Sequence, residues 1–202
     1  YTTGGATGAP TYAMSNNIEK FPFASDSNAT NIADTTTFTI SSVGQSSSDN
    51  GYMSGGRTAG SATGPISATV KTIEKFSFSS DSNATDVGDL LGTTSGAAGQ
   101  QSSDNGYTSG GYVPTGSAFE INTIQKFPFA SDGNSTDVGD MTTRRQGPIG
   151  QSSTDNGYTS GGSLTGQGFL DTIDKYPFAS DGNATDVGDL TIGRSSAAGQ
   201  QG

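Results

Sequence analysis

Carboxylates, hydroxyls and amides are the groups with which this sequence could do chemistry, because it has no cysteine and no histidine. Thiolate nucleophiles, imidazole bases, disulfides and the commonest zinc and copper ligands are therefore excluded. The remaining candidates fall in short recurrent segments. Asp132-Gly133-Asn134-Ser135-Thr136-Asp137-Val138-Gly139-Asp140 crowds several oxygen ligands together, and Asp181 to Asp189 does the same. Calcium takes about six to eight oxygens. These loops lack the alternation of a calcium-binding loop, and Asp and Asn favour turns by bonding their own backbone. We therefore expect no metal and no cofactor. Asn28-Ala29-Thr30, Asn83-Ala84-Thr85, Asn134-Ser135-Thr136 and Asn183-Ala184-Thr185 are glycosylation sequons. They recur because a repeat recurs, so they count as one observation. Nearly every carboxylate is repeated in the same way, whereas a catalytic site needs a unique, asymmetric constellation. The expectation is a protein that is not an enzyme.

The elements that hold these residues form four copies of one unit, 1–51, 52–106, 107–157 and 158–202, within a single domain of 202 residues. Lys20-Phe21-Pro22-Phe23 returns as Lys75-Phe76-Ser77-Phe78, Lys126-Phe127-Pro128-Phe129 and Lys175-Tyr176-Pro177-Phe178. Tyr1, Tyr52, Tyr107 and Tyr158 each stand three residues before a Gly-Gly pair. Each unit reads as four short strands. Strand A is small and polar, as in Ala97-Ala98-Gly99-Gln100, and an Asp-Asn-Gly turn such as Asp104-Asn105-Gly106 leads into strand B. Asn-Gly favours a tight hairpin because both residues tolerate positive φ. Strand C carries the aromatic pair, and strand D lies around Val138 or Val187. The density of Gly, Ser, Thr and Asn argues against helix. Four-stranded antiparallel units of about 50 residues point to an all-β fold, a β-propeller of four blades.

The chain starts at the opening of a strand B and reaches Gly199-Gln200-Gln201-Gly202 just past a strand A. These are complementary halves of one hairpin, so pairing of the N- and C-terminal strands is expected to close the ring and remove its free edges. The alternative is four blades cut from a longer array. Gln45, Gln100, Gln151 and Gln200 fall at equivalent places on strand A. Two readings stay open for them: a hydrogen-bonded ring about the channel, or repeat-derived polar residues near solvent.

The order of an arginine with small residues, a hairpin, Tyr-x-x-Gly-Gly and an Ile-x-x-aromatic strand resembles the kelch repeat. Arg194-Ser195-Ser196-Ala197 and Arg145-Gln146-Gly147 match its arginine, and all four Tyr-x-x-Gly-Gly blocks match its centre. The strand D tryptophan is missing, and the first two units lack the arginine. The Lys-Phe-Pro-Phe-Ala-Ser-Asp style also looks like kelch-like repeats in virion proteins of marine tailed phages. The resemblance implies a propeller, and a virion or extracellular location. Copper oxidases occur among kelch propellers, but that chemistry needs histidine and a cysteine-linked tyrosine, so it does not carry over. Ser102-x-Asp104-x-Gly106-x-Thr108 and Ser153-x-Asp155-x-Gly157-x-Thr159 look like the Asp-box of sialidases, a hairpin element, without its closing aromatic.

The formal net charge is -10, from 19 acidic and 9 basic residues, which excludes sequence-independent nucleic-acid binding as a function. No apolar run approaches the roughly 20 residues of a membrane helix. In a propeller the A–B and C–D loops share one face and the B–C and D–A loops the other. The first set is nearly invariant and rich in Asp, while the second differs from copy to copy and holds all four arginines. Loops on a rigid scaffold are where binding specificity usually sits. The candidate binding residues are therefore Tyr12, Arg57, Tyr112, Phe119, Arg144, Arg145, Phe169 and Arg194. Aromatics pack on a sugar or a partner surface, and arginines suit carboxylates or sulfates. The expected function is a structural or assembly propeller of a virion or appendage, bound to other copies of itself or to other surface proteins. A glycan- or receptor-binding adhesion module is the alternative, and a glycosidase-like enzyme the second alternative.

Overall fold

The computed structural model describes residues 1–6, 8, 13–59, 62–63, 66–115 and 119–200. Every regular element in them is a β-strand. The first unit gives a three-stranded sheet of β1 (Thr2–Thr3), β2 (Asn17–Lys20) and β3 (Thr30–Asp34), in that order. A small sheet follows, made by β4 (Phe38–Ile40), β7 (Arg57–Ala59) and β8 (Ile66–Thr69). The second unit is β5 (Val43–Ser46), β6 (Asn50–Ser54), β9 (Thr72–Ser77) and β10 (Thr85–Asp89). The third is β11 (Ala98–Gln101), β12 (Asn105–Ser109), β13 (Thr123–Pro128) and β14 (Thr136–Asp140). The fourth is β15 (Ile149–Ser152), β16 (Asn156–Ser160), β19 (Thr172–Pro177) and β20 (Thr185–Asp189), with a hairpin of β17 (Ser163–Leu164) and β18 (Gly168–Phe169) beside it. All pairings are antiparallel, in the order A-B-C-D.

The turns form as their residues dictate. The Ser47, Ser102 and Ser153 hydroxyls each accept the amide of the Asn three residues on. The Asp49, Asp104 and Asp155 carbonyls accept the amides of Phe78, Phe129 and Phe178. The Asp-box-like segments thus act as hairpins tied to strand C.

Adjacent sheets meet through one interface, made three times. Tyr1 stacks on Phe78 and tilts against Phe76; Tyr52 treats Phe129 and Phe127 in the same way, and Tyr107 does so with Phe178 and Tyr176. These rings, with Ile18, Ile73 and Ile124, supply three separate cores between the sheets. The sequon asparagines belong to the same interface. The Asp34, Asp89 and Asp140 amides donate to the side-chain oxygens of Asn83, Asn134 and Asn183 at 3.0, 2.9 and 3.0 Å. The Asp carbonyls accept the next amides, from Ala84, Ser135 and Ala184. Lys75–Asp132 and Lys126–Asp181 ion pairs, both 2.5 Å, bridge the same loops. The Asp-rich loops are therefore partners for the neighbouring sheet. Among the described residues no group of three or more acidic side chains is placed to hold a metal ion, and no helix is long and apolar enough to cross a membrane.

The strand A glutamines divide: Gln200 is exposed and Gln151 half-buried, as the solvent reading expects, whereas neither reading holds for Gln45 and Gln100. They are buried, and each amide crosses to strand B of the next sheet: Gln45 to the Tyr107 carbonyl and Thr108, Gln100 to the Tyr158 carbonyl and Thr159. The inner strands lie backbone to backbone. A Cβ on Gly99 would stand 2.6 Å from the Gly44 carbonyl oxygen, and one on Gly150 would stand 2.2 Å from that of Gly99.

The expected pairing of the C-terminal strand A with the first strand B is not made among the described residues, since β1 pairs with β2 alone. Phe23 is 93% exposed, whereas its equivalents Phe78, Phe129 and Phe178 each pack beneath a tyrosine.

Gly150→Ala must push the inner strands apart and should lower stability by about 1–3 kcal/mol, the usual cost of overpacking. Gly133→Ala, which meets nothing within 4 Å, should change it by less than about 0.5 kcal/mol. Urea denaturation of the two variants checks this contrast.

Candidate binding face

The B–C and D–A loops build short ladders on one side of the sheets. The residue after the second, third and fourth Gly-Gly pairs bridges the D–A loop before its own strand A: Arg57 to Ile40, Tyr112 to Ser95, Ser163 to Gln146. The next loop position is left-handed in every unit, with φ of 57° at Ser41, 58° at Gly96, 61° at Gly147 and 56° at Ser196. This bend lets the Gly96 amide donate to the Ser41 carbonyl, Gly147 to Gly96, and Ser196 to Gly147. Glycine adopts the conformation freely, whereas for serine it costs about 1–2 kcal/mol. The two serines hold it because the ladder does, and strained backbone of this kind tends to cluster at functional sites.

These positions line a recess of about 400 Å³, formed by Ser41, Arg57, Ser95, Tyr112, Gln146, Ser163 and Ser196 with Gly96 and Gly147. Its wall is chemically uneven although its backbone repeats. Arg57 is exposed and has no ion pair with any described residue. Tyr112 is half-buried and stacks on Phe119, ring centroids 5.6 Å apart at 18°. The serine hydroxyls and the Gln146 amide add donors and acceptors. The site can therefore offer a flat aromatic surface, a cation and a set of neutral hydrogen-bonding groups.

The structure distributes the eight sequence candidates unevenly. Arg57 and Tyr112 meet at the recess, and Phe119 backs Tyr112. Arg144 is exposed on the D–A loop of the third unit. Phe169 is 67% exposed on β18, and the main chain of Gly193, beside the exposed Arg194, lies against its carbonyl. Tyr12 lies outside the described residues. Arg145 is a correction: it is fully buried and not a surface donor. Its guanidinium pairs with Asp174 at 2.9 Å and donates to the carbonyls of Thr143, Gly161 and Thr172. Burial lowers the Arg145 pKa from its usual value, and the Asp174 carboxylate opposes that shift. Asp174 also accepts from the amide and hydroxyl of Thr142. On β9, Glu74 accepts from Thr36 in the same manner, and on β13 Gln125 accepts from the Leu91 amide. Sequence reading missed the recess serines, and their one signal is the fixed offset from the strand A glutamine.

Glu120 ties the loops of the third and fourth units together. Its carboxylate accepts from the amide and hydroxyl of Thr165, and the hydroxyl bond is the main reason its pKa lies below the usual carboxylate value. Burial opposes this shift, and the Arg144 charge adds to it weakly. Burial also raises the pKa of Tyr52 and Tyr107, and that of Tyr176, whose hydroxyl donates to Gln100, most of all.

No family model and no curated protein matches this chain. Solved structures do, 146 chains in all. Among them is the structure of YjhT, 13% identical, with a TM-score of 0.79 over 97% of this chain and 69% of that one. At such identity the likeness concerns the fold alone. The class is an all-β protein of repeated three- and four-stranded antiparallel sheets, consistent with a β-propeller-like fold.

Arg145→Ala leaves the buried Asp174 carboxyl without its ion-pair partner, and should cost about 3–5 kcal/mol, while Arg144→Ala should change stability little; thermal melts separate the neighbours. Thr165→Val should lower the melting temperature at neutral pH. A depressed carboxylate stabilises above its unfolded pKa, and that contribution fades as pH falls through the folded one. The gap between parent and variant should therefore shrink as pH falls through and below the ordinary Glu value of 4.5.

Proposed function

We propose that this chain is a non-enzymatic attachment and assembly module, a propeller whose loop-bearing face carries the contact. In this reading the four sheets are kelch-like blades, and the ring is sealed by an inner strand A seated against β1. The carrying observation is the contrast between the two sets of loops. One set is committed to holding the sheets together through Asn83, Asn134 and Asn183 and their aspartates. The other repeats its backbone ladder but places Arg57, Tyr112 and Ser163 at equivalent positions. A face that keeps its frame while changing its side chains is suited to recognition. The buried or loop-bound acids Glu74, Asp174 and Glu120 already accept hydrogen bonds from threonines, which supports a non-catalytic role. The resemblance to virion repeats supports a place in a virion or an extracellular appendage, with copies of the chain or other surface proteins as partners.

The recess favours a second reading, an adhesion module for a glycan or a receptor. An arginine beside a tyrosine stacked on a phenylalanine can take a carboxylated or sulfated sugar by ion pair and ring contact. The double variant Arg57→Glu/Arg144→Glu should keep the parent's melting temperature within the range of surface substitutions. It should lose at least tenfold in binding to an array of carboxylated and sulfated glycans, or in association with its surface partner. If the folded variant binds and associates like the parent, the loop face carries no contact and the proposal fails.

A further inference from the structure

Ser41, Gly96, Gly147 and Ser196, each from a different D–A loop, border a single recess, so these loops gather at one end of the molecule. The inner strands lead away from it. β5, β11 and β15 begin two residues after Ser41, Gly96 and Gly147, and they run to the turns that carry Asp49, Asp104 and Asp155. Those turns therefore stand at the opposite end.

The two ends differ in charge, sheet by sheet. Asp49, Asp104 and Asp155 are exposed, and none forms an ion pair with a described residue. Their turns contain no lysine or arginine. The C–D loop acids Asp81, Asp132 and Asp181 already face lysines, so the turn acids are the uncompensated ones. At the recess end Arg57, Arg144 and Arg194 are exposed, and they too have no ion pair with a described residue. Of the acids in the B–C and D–A loops, Glu120 is buried on Thr165 and Asp171 alone is exposed. The second sheet thus carries Asp49 at one end and Arg57 at the other, the third Asp104 and Arg144, the fourth Asp155 and Arg194. Both sets follow the same step from sheet to sheet.

We propose that copies of this chain stack head to tail, the acidic A–B turns of one copy seated on the arginine-bearing loops of the next. This inference rests on the loop-face reading and names its partner. Charge is the argument for a like copy. Chains of net charge -10 repel at most approaches, and the arginine loops are the place where that charge is locally reversed. The contact is heterologous, so every stack keeps one free turn end and one free loop end and can grow.

At about 0.15 M salt the Debye length is about 8 Å, so only apposed groups are felt. Sedimentation of the parent there should give a mean mass that rises with concentration past two chains, and salt of about 1 M should return it to one. The loop variant Arg57→Glu/Arg144→Glu/Arg194→Glu and the turn variant Asp49→Lys/Asp104→Lys/Asp155→Lys should each stay monomeric. Mixed, they should associate, because one keeps the acidic turns and the other keeps the arginine loops. The triple Asp→Asn variant keeps the turn preference and replaces the lysine variant if that one does not fold; it should weaken stacking by about tenfold or more. A parent that is monomeric at every concentration overturns the stack and leaves the loop face to another ligand. A parent that stops at two chains, lost in the loop variant but kept in the turn variant, overturns the stack and retains the loop-face contact. A stack that survives in the folded loop variant overturns both.

Discussion

Tyr52 lies on Phe129 and leans on Phe127, and the same arrangement recurs at Tyr1 and Tyr107. The rest of the structure depends on that contact. No sheet here has a large aliphatic face, since hydrophobic residues make up only 29% of the chain. Each sheet must therefore lend an aromatic to its neighbour. An aromatic pair adds about 0.5–1.5 kcal/mol beyond the area it buries. Around the second and third ring clusters the polar groups complete the seal: the sequon asparagine, the strand A glutamine and the buried acid or amide of strand C each end on the adjacent sheet. A buried polar group costs little only when bonded, and no buried side-chain nitrogen or oxygen among the described residues lacks a partner.

This division of labour frees one set of loops. Inner-strand glycines and C–D loops fix the distance between sheets, so the B–C and D–A loops can change without moving the frame. They still keep a backbone ladder of their own, running from Ser41 through Gly96 and Gly147 to Ser196. The recess is thus rigid in outline and variable in lining, the combination that preorganised binding favours.

Much of the architecture was legible in the sequence. The fourfold spacing of Tyr-x-x-Gly-Gly and of the aromatic pairs located strands B and C, and Asp-Asn-Gly located the turns between A and B. What lay hidden was the direction of polar side chains. Arg144 and Arg145 are adjacent and identical in type, yet one is exposed and the other is fully buried on Asp174. Only the strand C acid of the next unit distinguishes them, and nothing in sequence spacing links positions 145 and 174. The sequons read as modification signals, although their asparagines serve as clamps. The complementary patterns of the first strand B and the last strand A led to an expected pairing that is not made among the described residues, because strand pairing depends on the step between sheets, which no local pattern encodes.

The most direct test of the shared interface is a double-mutant cycle at the third junction, Tyr107→Leu against Phe178→Leu, read by urea denaturation. If the ring contact holds the sheets together, the two losses are not additive, and the coupling lies at about 0.5–1.5 kcal/mol. Tyr52 with Phe129 gives the same value. Additive losses, with no coupling at either junction, would contradict the account.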